Sequence, residues 1–330
     1  MRRILSLTSI SFLAMFLVVQ FCSCSVQTSG TTILSVSDTT SQSTIDSSEG
    51  TVSVQDGIQT SYPFTYTDAY GQEIVIESEP STVVSVSPSI TEIMFDLGIE
   101  DMLIGRSDYC DFPQEALDIE SVGNIDAPNV ERIVELDPDI VLASSIFSEE
   151  AYNTLTGLGI TVAIVKDETE LVGVFDTIEL LASMLNRNEE GQVLLSSMHE
   201  TYDSFEEFSL NEDDMTDAPS VYYCMGFGEY GDFTAGGDTY INDIIETAGA
   251  TNVASDVTGW SYSVEALIAS DPDYILIPEF MYDDFISSEP YSSLSAVQEG
   301  RVYDIESRLF ERQAPCNLDA VLYIHEIITE

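Results

Sequence analysis

One fifteen-residue stretch of the sequence occurs twice. Residues 129–143 read NVERIVELDPDIVLA, and residues 263–277, which lie 134 positions later, read SVEALIASDPDYILI. Six of the fifteen positions are identical. In each copy a polar N-cap residue precedes a short helical pattern, a proline prevents the helix from continuing, and an apolar run follows. This spacing predicts a helix and a buried strand at equivalent places in two related halves of the chain.

Apolar runs and helical patterns alternate along both halves of the sequence. The first half contains strand 82–87, helix 89–98, strand 102–105, helix 129–136, strand 139–143, helix 148–158 and strand 160–165. The second half contains strand 220–225, helix 239–248, helix 264–269, strand 273–277, strand 302–305 and helix 316–328. Because this alternation is typical of parallel sheets covered by helices, we expect two three-layer α/β lobes with mostly parallel central sheets.

Local signals refine this prediction. The segment YPFTYTDAYGQEIVI predicts a hairpin that turns at residues 69–71. In the helix predicted at 89–98, Ser89 is the expected N-cap and Glu92 its capping-box partner, and Gly98 ends the helix.

A long helical region separates the two halves. An apolar stripe runs from Leu171 to Leu185, and a second helical pattern covers about 189–208. We therefore predict an N-terminal lobe at 61–186, a connecting helix at 187–210 and a C-terminal lobe at 211–330.

The N-terminus has the layout of a secretory signal. Arg2 and Arg3 precede an apolar run that ends in FCSCS, and the run is too short for a secure transmembrane helix. We predict a lipoprotein signal peptide at 1–24 with Cys24 as the lipidated residue, Cys22 being the alternative; an ordinary cleaved signal peptide remains open. Residues 25–60 are rich in Ser and Thr and predict a flexible tether. The protein is expected to be extracytoplasmic and lipid-anchored to the cell membrane.

The charge of the chain limits its partners. The sequence has 59 acidic and 9 basic residues and a net charge of −50, so binding to nucleic acid is not expected. Cys110, Cys224 and Cys316 are isolated in the sequence. A disulfide between two of them remains open, and no metal site is predicted. The chain lacks the G-x-S-x-G motif of a hydrolase, so no catalytic residue is assigned and an enzyme is not expected.

Each copy of the repeat carries a glutamate, Glu131 or Glu265, in the first turn of its predicted helix. The helix dipole stabilises a carboxylate there by about 0.3–1 kcal/mol, so a purely structural role remains open. The glutamate is kept, however, although Arg132 is replaced by Ala266 and Glu135 by Ala269. A matched pair of carboxylates on related lobes is suited to docking on a two-fold partner that presents arginines.

From about Tyr62 to the C-terminus, the sequence resembles the substrate-binding proteins of ABC importers for ferric siderophores, haem and cobalamin, and it is nearest to the cobalamin-binding branch. Besides the repeat, the resembling stretches are VVSVSPSITEIMFDLG, GRSDYCDFPQEA, FTAGGDTYINDIIETAGATNV and GRVYDI. The resemblance implies two α/β lobes that one rigid helix joins, and a ligand cleft between them. It also implies that Glu131 and Glu265 dock on arginines of a permease dimer.

Ligand contacts are expected on loops at strand ends between the lobes. The candidates are Ser87, Pro88, Ser89, Tyr109, Phe227, Tyr230, Phe233, Trp260, Arg308 and Arg312. The resemblance implies that Tyr109, within SDYCDFP, contacts a corrin and that Arg312 matches an arginine of the cobalamin branch. That branch has an acidic residue where this chain has Arg308, and two arginines favour an anionic ligand. Core roles for Tyr109 and Trp260 remain open, as do local salt bridges for the arginines.

The sequence therefore predicts a receptor that captures a metal chelate and delivers it to an ABC permease. A corrinoid ranks first and a ferric siderophore second. A haem receptor and a free-metal receptor are the alternatives, and a secreted hydrolase is a remote one. No resident cofactor is expected, because the chelate is cargo.

Overall fold

The structure is a computed structural model that describes residues 59–208 and 218–330. The predicted signal peptide, the lipidation candidates Cys22 and Cys24, and the predicted tether up to residue 58 lie outside the described residues. No helix in the described parts of the chain is long and apolar enough to cross a membrane.

The described chain begins with an antiparallel hairpin of β1 (Phe64–Thr67) and β2 (Glu73–Ile76). The Asp68 carboxylate accepts hydrogen bonds from the backbone N–H groups of Tyr70 and Gln72, both at 2.9 Å. Gly71 adopts a φ of +74°, which a glycine adopts without strain. The hairpin turn predicted at residues 69–71 is confirmed.

A four-stranded parallel sheet forms the first lobe. Its strands are β3 (Val83–Ser85), β4 (Leu103–Arg106), β5 (Ile140–Ala143) and β6 (Val162–Ile164), in the order β4-β3-β5-β6. Its helices are α1 (Pro88–Asp96), α2 (Val130–Leu136) and α3 (Glu149–Gly157). Almost every strand residue is buried, as expected for a parallel sheet that helices cover on both faces.

Two helices then connect the lobes, α4 (Gly173–Met184) and α5 (Asn188–Ser204), and a 3-10 turn at Phe205–Phe208 continues α5. Just before α4, the Leu171 amide donates to the second-lobe Asp243 at 2.6 Å. At the far end of α4, Asn186 accepts from the Thr60 amide at 2.8 Å. The ring of Phe208 stacks on the ring of His325 in the second lobe, with 3.5 Å between the ring centroids. Each of these two helices therefore has one end at the first lobe and the other at the second. The sequence predicts one connecting helix at 187–210, and α5 lies within that range.

The second lobe repeats the topology of the first. Its strands are β7 (Ser220–Tyr223), β9 (Thr251–Asn252), β11 (Tyr274–Pro278) and β12 (Val302–Ile305). They form a sheet in the order β9-β7-β11-β12, and all of them are parallel. A separate ribbon pairs β8 (Asp232–Phe233) with β10 (Ser261–Tyr262). The helices are α6 (Tyr240–Thr247), α7 (Val264–Ser270), α8 (Glu279–Ser287), α9 (Ser295–Glu299), α10 (Arg308–Glu311) and α11 (Asn317–Thr329). In each lobe the strand that comes first in the sequence lies in the sheet between the strands that come second and third. The prediction of two α/β lobes is therefore confirmed.

The repeated sequence forms the same local structure in both lobes. The Asn129 side chain accepts from the backbone N–H of Arg132 at 3.1 Å, and the Ser263 hydroxyl accepts from Ala266 at 3.1 Å. Helices α2 and α7 each have seven residues. Each ends at an aspartate with positive φ, Asp137 or Asp271, that precedes the proline. The predicted N-caps are confirmed.

The predicted start of α1 is wrong. The N-cap is Ser87 and not Ser89, because Pro88 occupies the first helical position, where its fixed φ suits the helix and its missing N–H is not needed. Ser89 therefore lies within the first turn. Glu92 lies in the middle of α1 with its side chain buried, and it does not serve as a capping-box partner.

The three cysteines of the described chain, Cys110, Cys224 and Cys316, are buried and free. The structure therefore contains no disulfide among them.

Candidate ligand cleft

The carboxyl ends of the parallel strands in both lobes face a cleft of about 1040 Å³. In the first lobe, residues 87–89 follow β3, Tyr109 follows β4, and residues 165–169 follow β6. In the second lobe, Met225 follows β7 and residues 306–313 follow β12. This volume lies at the upper end of the usual ligand-pocket range of about 300–1,000 Å³, so the cleft can admit a macrocycle.

Seven of the ten predicted ligand residues line this cleft. They are Ser87, Pro88, Ser89, Tyr109, Trp260, Arg308 and Arg312. The sequence predicts these residues on strand-end loops, and the fold brings the loops together.

The other three predicted ligand residues are not among the lining residues. The ring of Phe227 packs edge-on against the rings of Phe285 and Tyr291, with centroid distances of 5.0 Å and 5.1 Å. Phe227 therefore packs against the second-lobe core. Phe233 lies in the β8–β10 ribbon, where its backbone pairs with Gly226. Tyr230 is exposed in the loop before that ribbon. The predicted cleft role of Phe227 is therefore replaced by a packing role.

The two walls of the cleft present large apolar side chains to solvent. Tyr109 is 54% exposed and Ile146 55% exposed in the first lobe, and Trp260 is 42% exposed in the second. Phe112 is also partly exposed beside Tyr109. Exposed apolar side chains that gather in a concave site indicate an apolar face on the ligand.

Arg308 and Arg312 do not present free charges to the cleft. Arg308 Nη1 lies 2.7 Å from Glu92 Oε1, and Arg312 Nη1 lies 3.4 Å from Glu92 Oε2. Arg312 also pairs with Asp111, and Arg308 with Glu306 at 3.0 Å. Salt bridges, which were the alternative interpretation of the two arginines, are thus present.

Two further contacts hold the same segment of the second lobe against the first lobe. The Arg308 guanidinium carbon lies 3.7 Å from the centroid of the Phe112 ring, a cation–π geometry. The Gln313 side chain accepts from the Glu168 amide at 2.8 Å and donates to the Glu168 carbonyl at 2.7 Å. The backbone N–H of Gln313 donates to the Ser89 hydroxyl at 3.1 Å.

The cleft is acidic as a whole. Its lining residues include three cations and six carboxylates, the cations being Lys166, Arg308 and Arg312 and the carboxylates Asp111, Asp167, Glu168, Asp238, Glu306 and Glu311. Near Glu92 and Arg308, burial and the Glu92 carboxylate raise the pKa of Asp96 to about 6. Burial also raises the pKa of Asp319, although Arg308 opposes this effect.

The predicted docking glutamates lie outside the cleft. Glu131 and Glu265 are both exposed and occupy the first turns of α2 and α7. The histidines also lie elsewhere: His199 is in α5 against Phe175, and His325 is in α11. Within the described residues no group of three or more His, Cys, Asp or Glu side chains is placed to hold a metal ion.

Two residues of the site were not predicted from the sequence. Phe112 lines the cleft and lies against Arg308, whereas Glu92 does not line the cleft but pairs with both arginines. Glu92 pairs with residues 216 and 220 positions away. No local pattern encodes such a contact. The available signal was an acidic residue on the apolar side of a short helix, a position where a carboxylate needs a partner.

Comparisons with known proteins agree with this architecture. The family model described as "Periplasmic binding protein" matches residues 83–309. An uncharacterized ABC transporter substrate-binding lipoprotein of Bacillus subtilis is 30% identical over 281 residues, which cover 81% of this chain and 86% of that protein. A protein of Halobacterium salinarum named as cobalamin-binding is 32% identical over 222 residues, which cover 66% of this chain and 58% of that protein.

Solved structures share the fold at lower identity. The periplasmic vitamin B12-binding protein of Vibrio cholerae matches with a TM-score of 0.63 and 23% identity, over 76% of this chain and 97% of that chain. A periplasmic haem-binding protein of Roseiflexus matches with a TM-score of 0.67 and 21% identity, over 76% and 99%. Since these two structures bind different cargo by name, the fold alone does not choose a cargo.

Proposed function

We propose, from the premise that this chain belongs to the periplasmic binding protein family, that its cargo is a corrinoid. The chain is an extracytoplasmic substrate-binding component of an ABC importer for a metal chelate. The protein captures the cargo and delivers it to the permease, and it does not change the cargo chemically. The names of its relatives support the choice, since the Halobacterium relative is named as cobalamin-binding.

The observation that carries the proposal is the character of the cleft walls. Tyr109 and Ile146 of one lobe and Trp260 of the other offer exposed apolar surface to a shared space of about 1040 Å³. A corrin is a large ring with apolar faces, and aromatic side chains on both lobes can pack against it. Burial of apolar surface contributes about 25 cal/mol per Å², so a macrocycle gains much of its affinity there.

The charges of the cleft also favour this cargo. Both arginines are neutralised by carboxylates, and carboxylates outnumber cations two to one in the lining. A ferric tricatecholate or the propionates of haem would meet net repulsion there, since like charges at short range raise the free energy of binding. The amide side chains of a corrinoid are uncharged. They suit a wall that offers a hydroxyl such as that of Ser89.

Delivery would use the two glutamates of the repeat. Glu131 and Glu265 are exposed at equivalent positions of the two lobes. Each would pair with an arginine on one half of a two-fold permease dimer, because charge-assisted pairs between exposed groups fix orientation. The equivalence of the two lobes supports one contact for each half.

Membrane attachment would use a lipid on Cys24. The sequence FCSCS, which follows the apolar run, supports this assignment, with Cys22 as the alternative. A relative that covers 81% of this chain is named as a lipoprotein.

The test is isothermal titration calorimetry of the detergent-solubilised full chain with cyanocobalamin, haemin and a ferric tricatecholate. We expect saturable one-to-one binding of cyanocobalamin and much weaker binding of both anionic chelates. Tighter binding of haemin or of the ferric tricatecholate would overturn the corrinoid assignment, while the family membership would stand.

A further inference from the structure

We infer that Glu92 is a positioning residue, which clasps the second lobe to the first and thereby sets the width of the cleft before any cargo arrives. The inference concerns the unliganded receptor, so it does not depend on which chelate is carried.

Glu92 lies on α1 of the first lobe and is only 2% exposed. Both of its carboxylate oxygens face arginines of the second lobe: Oε1 faces Arg308 at 2.7 Å and Oε2 faces Arg312 at 3.4 Å. The arginine side chains are themselves largely buried, at 16% and 13% exposure. One first-lobe carboxylate thus meets two second-lobe guanidinium groups, both of which belong to residues that line the cleft.

The arginines are held from the first-lobe side at two more points. Phe112 lies under Arg308, and Asp111 pairs with Arg312. The next residue, Gln313, makes its reciprocal pair of hydrogen bonds with Glu168. We call the contacts of residues 308–313 with the first lobe the clasp. Because each partner lies on the opposite lobe, any opening of the cleft at this point must break charged contacts.

Burial of the charged groups makes separation of the two lobes at the clasp unfavourable. A buried carboxylate that loses its cations keeps the cost of desolvation without compensation. A separation too small to admit water would therefore leave three charged groups buried without partners, which raises the free energy of the opened state. The closed geometry is favoured, and the cleft is held at the width that Tyr109 and Trp260 define from opposite walls.

Trp260 provides a direct readout, because it is the single tryptophan of the sequence and lines the cleft. We would measure quenching of its fluorescence by acrylamide in the unliganded full chain and in Glu92→Gln. The substitution keeps the size of the side chain and removes its charge. We expect a larger Stern–Volmer constant in Glu92→Gln and a melting temperature lower by roughly 5–10 °C. The matched control is Glu100→Gln, an exposed glutamate of the same lobe, which should change neither quantity.

A second comparison separates the clasp from general destabilisation. Arg308→Gln and the double variant Glu92→Gln/Arg308→Gln complete a mutant cycle. If the two residues act as a pair, the melting temperature of the double variant decreases by less than the sum of the decreases in the two single variants. Its Trp260 should be quenched as strongly as in Glu92→Gln alone.

Two results would overturn the inference. One is a Stern–Volmer constant in folded Glu92→Gln equal to that of Glu100→Gln, and the other is strictly additive melting losses in the cycle. Both readouts are taken without cargo, so failure of cyanocobalamin to bind would refute the proposed function and leave this test intact.

Discussion

Asp139 in the first lobe and Asp273 in the second make the same contact. Asp139 accepts from the backbone N–H of Ser81 at 2.8 Å and from its hydroxyl at 2.7 Å. Asp273 accepts from the backbone N–H of Ser220 at 2.9 Å and from its hydroxyl at 2.7 Å. Each aspartate therefore ties the start of the third strand of its sheet to the start of the first strand.

This relationship explains most of the repeated sequence. In the Asp-Pro-Asp motif of each copy, the first aspartate ends the helix at positive φ and the second anchors the neighbouring strand. Structural demands therefore account for the aspartates and the apolar residues. The exposed carboxylates of Glu131 and Glu265 take no part in these contacts.

The first prediction concerns the anchoring aspartates. Asp139 also accepts from the amide and hydroxyl of Thr82, so Asp139→Ala should lower the free energy of unfolding by about 2 kcal/mol and Asp273→Ala by about 1 kcal/mol. Denaturant titration followed by circular dichroism would measure both losses. Asp118→Ala, at an exposed aspartate, is the control. Equal stability of all three variants would contradict the anchoring role.

The second prediction concerns docking. The double variant Glu131→Ala/Glu265→Ala should lose uptake of labelled cyanocobalamin in cells and keep the affinity of the purified protein, because both residues lie away from the cleft. The matched control is Glu150→Ala/Glu279→Ala, which removes exposed first-turn glutamates from α3 and α8. Normal transport by the Glu131/Glu265 variant would refute the docking assignment.

The third prediction concerns membrane attachment. Cys24→Ala should move the protein from the membrane fraction to the soluble extracytoplasmic fraction, since the variant cannot be lipidated at that position. Fractionation and immunoblotting would detect the change. Cys22→Ala should remain in the membrane fraction. If the two variants behave in the opposite way, Cys22 carries the lipid.

The fourth prediction concerns pH. Asp96 lies near Glu92, Arg308 and Asp319, and burial raises its pKa from 3.8 to about 6. The folded state therefore binds more protons at Asp96 than the unfolded state, and stability should rise as the pH falls from about 7 towards 4. Asp96→Asn should raise the melting temperature at pH 7.5 and flatten its dependence on pH above 5. Asp101→Asn, at an exposed aspartate, should leave the slope unchanged; an equal slope in Asp96→Asn would refute the assignment.

Periodicity and caps predicted most of the regular elements, because their causes lie within a few residues. Asn129 and Ser263 cap helices where the sequence places them. The two-residue strands β8 and β10 escaped prediction, since their pairing joins residues almost thirty positions apart. Helix α10 was missed because it has only four residues.

The candidate site was predictable only in part. Strand-end loops identified Tyr109, Trp260 and both arginines as cleft residues. Their partners could not be predicted, because the contact between Glu92 and Arg308 exists only after both lobes have folded and met. Phe227 was predicted to lie in the cleft because it is an aromatic residue that follows a strand. In the structure it packs against the core of the second lobe instead.

The most direct measurement is the fluorescence of Trp260 during titration of the full chain with cyanocobalamin, haemin and a ferric tricatecholate. Because the sequence has no other tryptophan and this side chain lines the cleft, bound cargo should quench it. Free tryptophan in the same solutions corrects for absorption of light by the ligands. We predict strong, saturable quenching by cyanocobalamin, weakened in Tyr109→Ala. Saturable quenching by haemin or by the ferric tricatecholate, with none by cyanocobalamin, would contradict a corrinoid receptor.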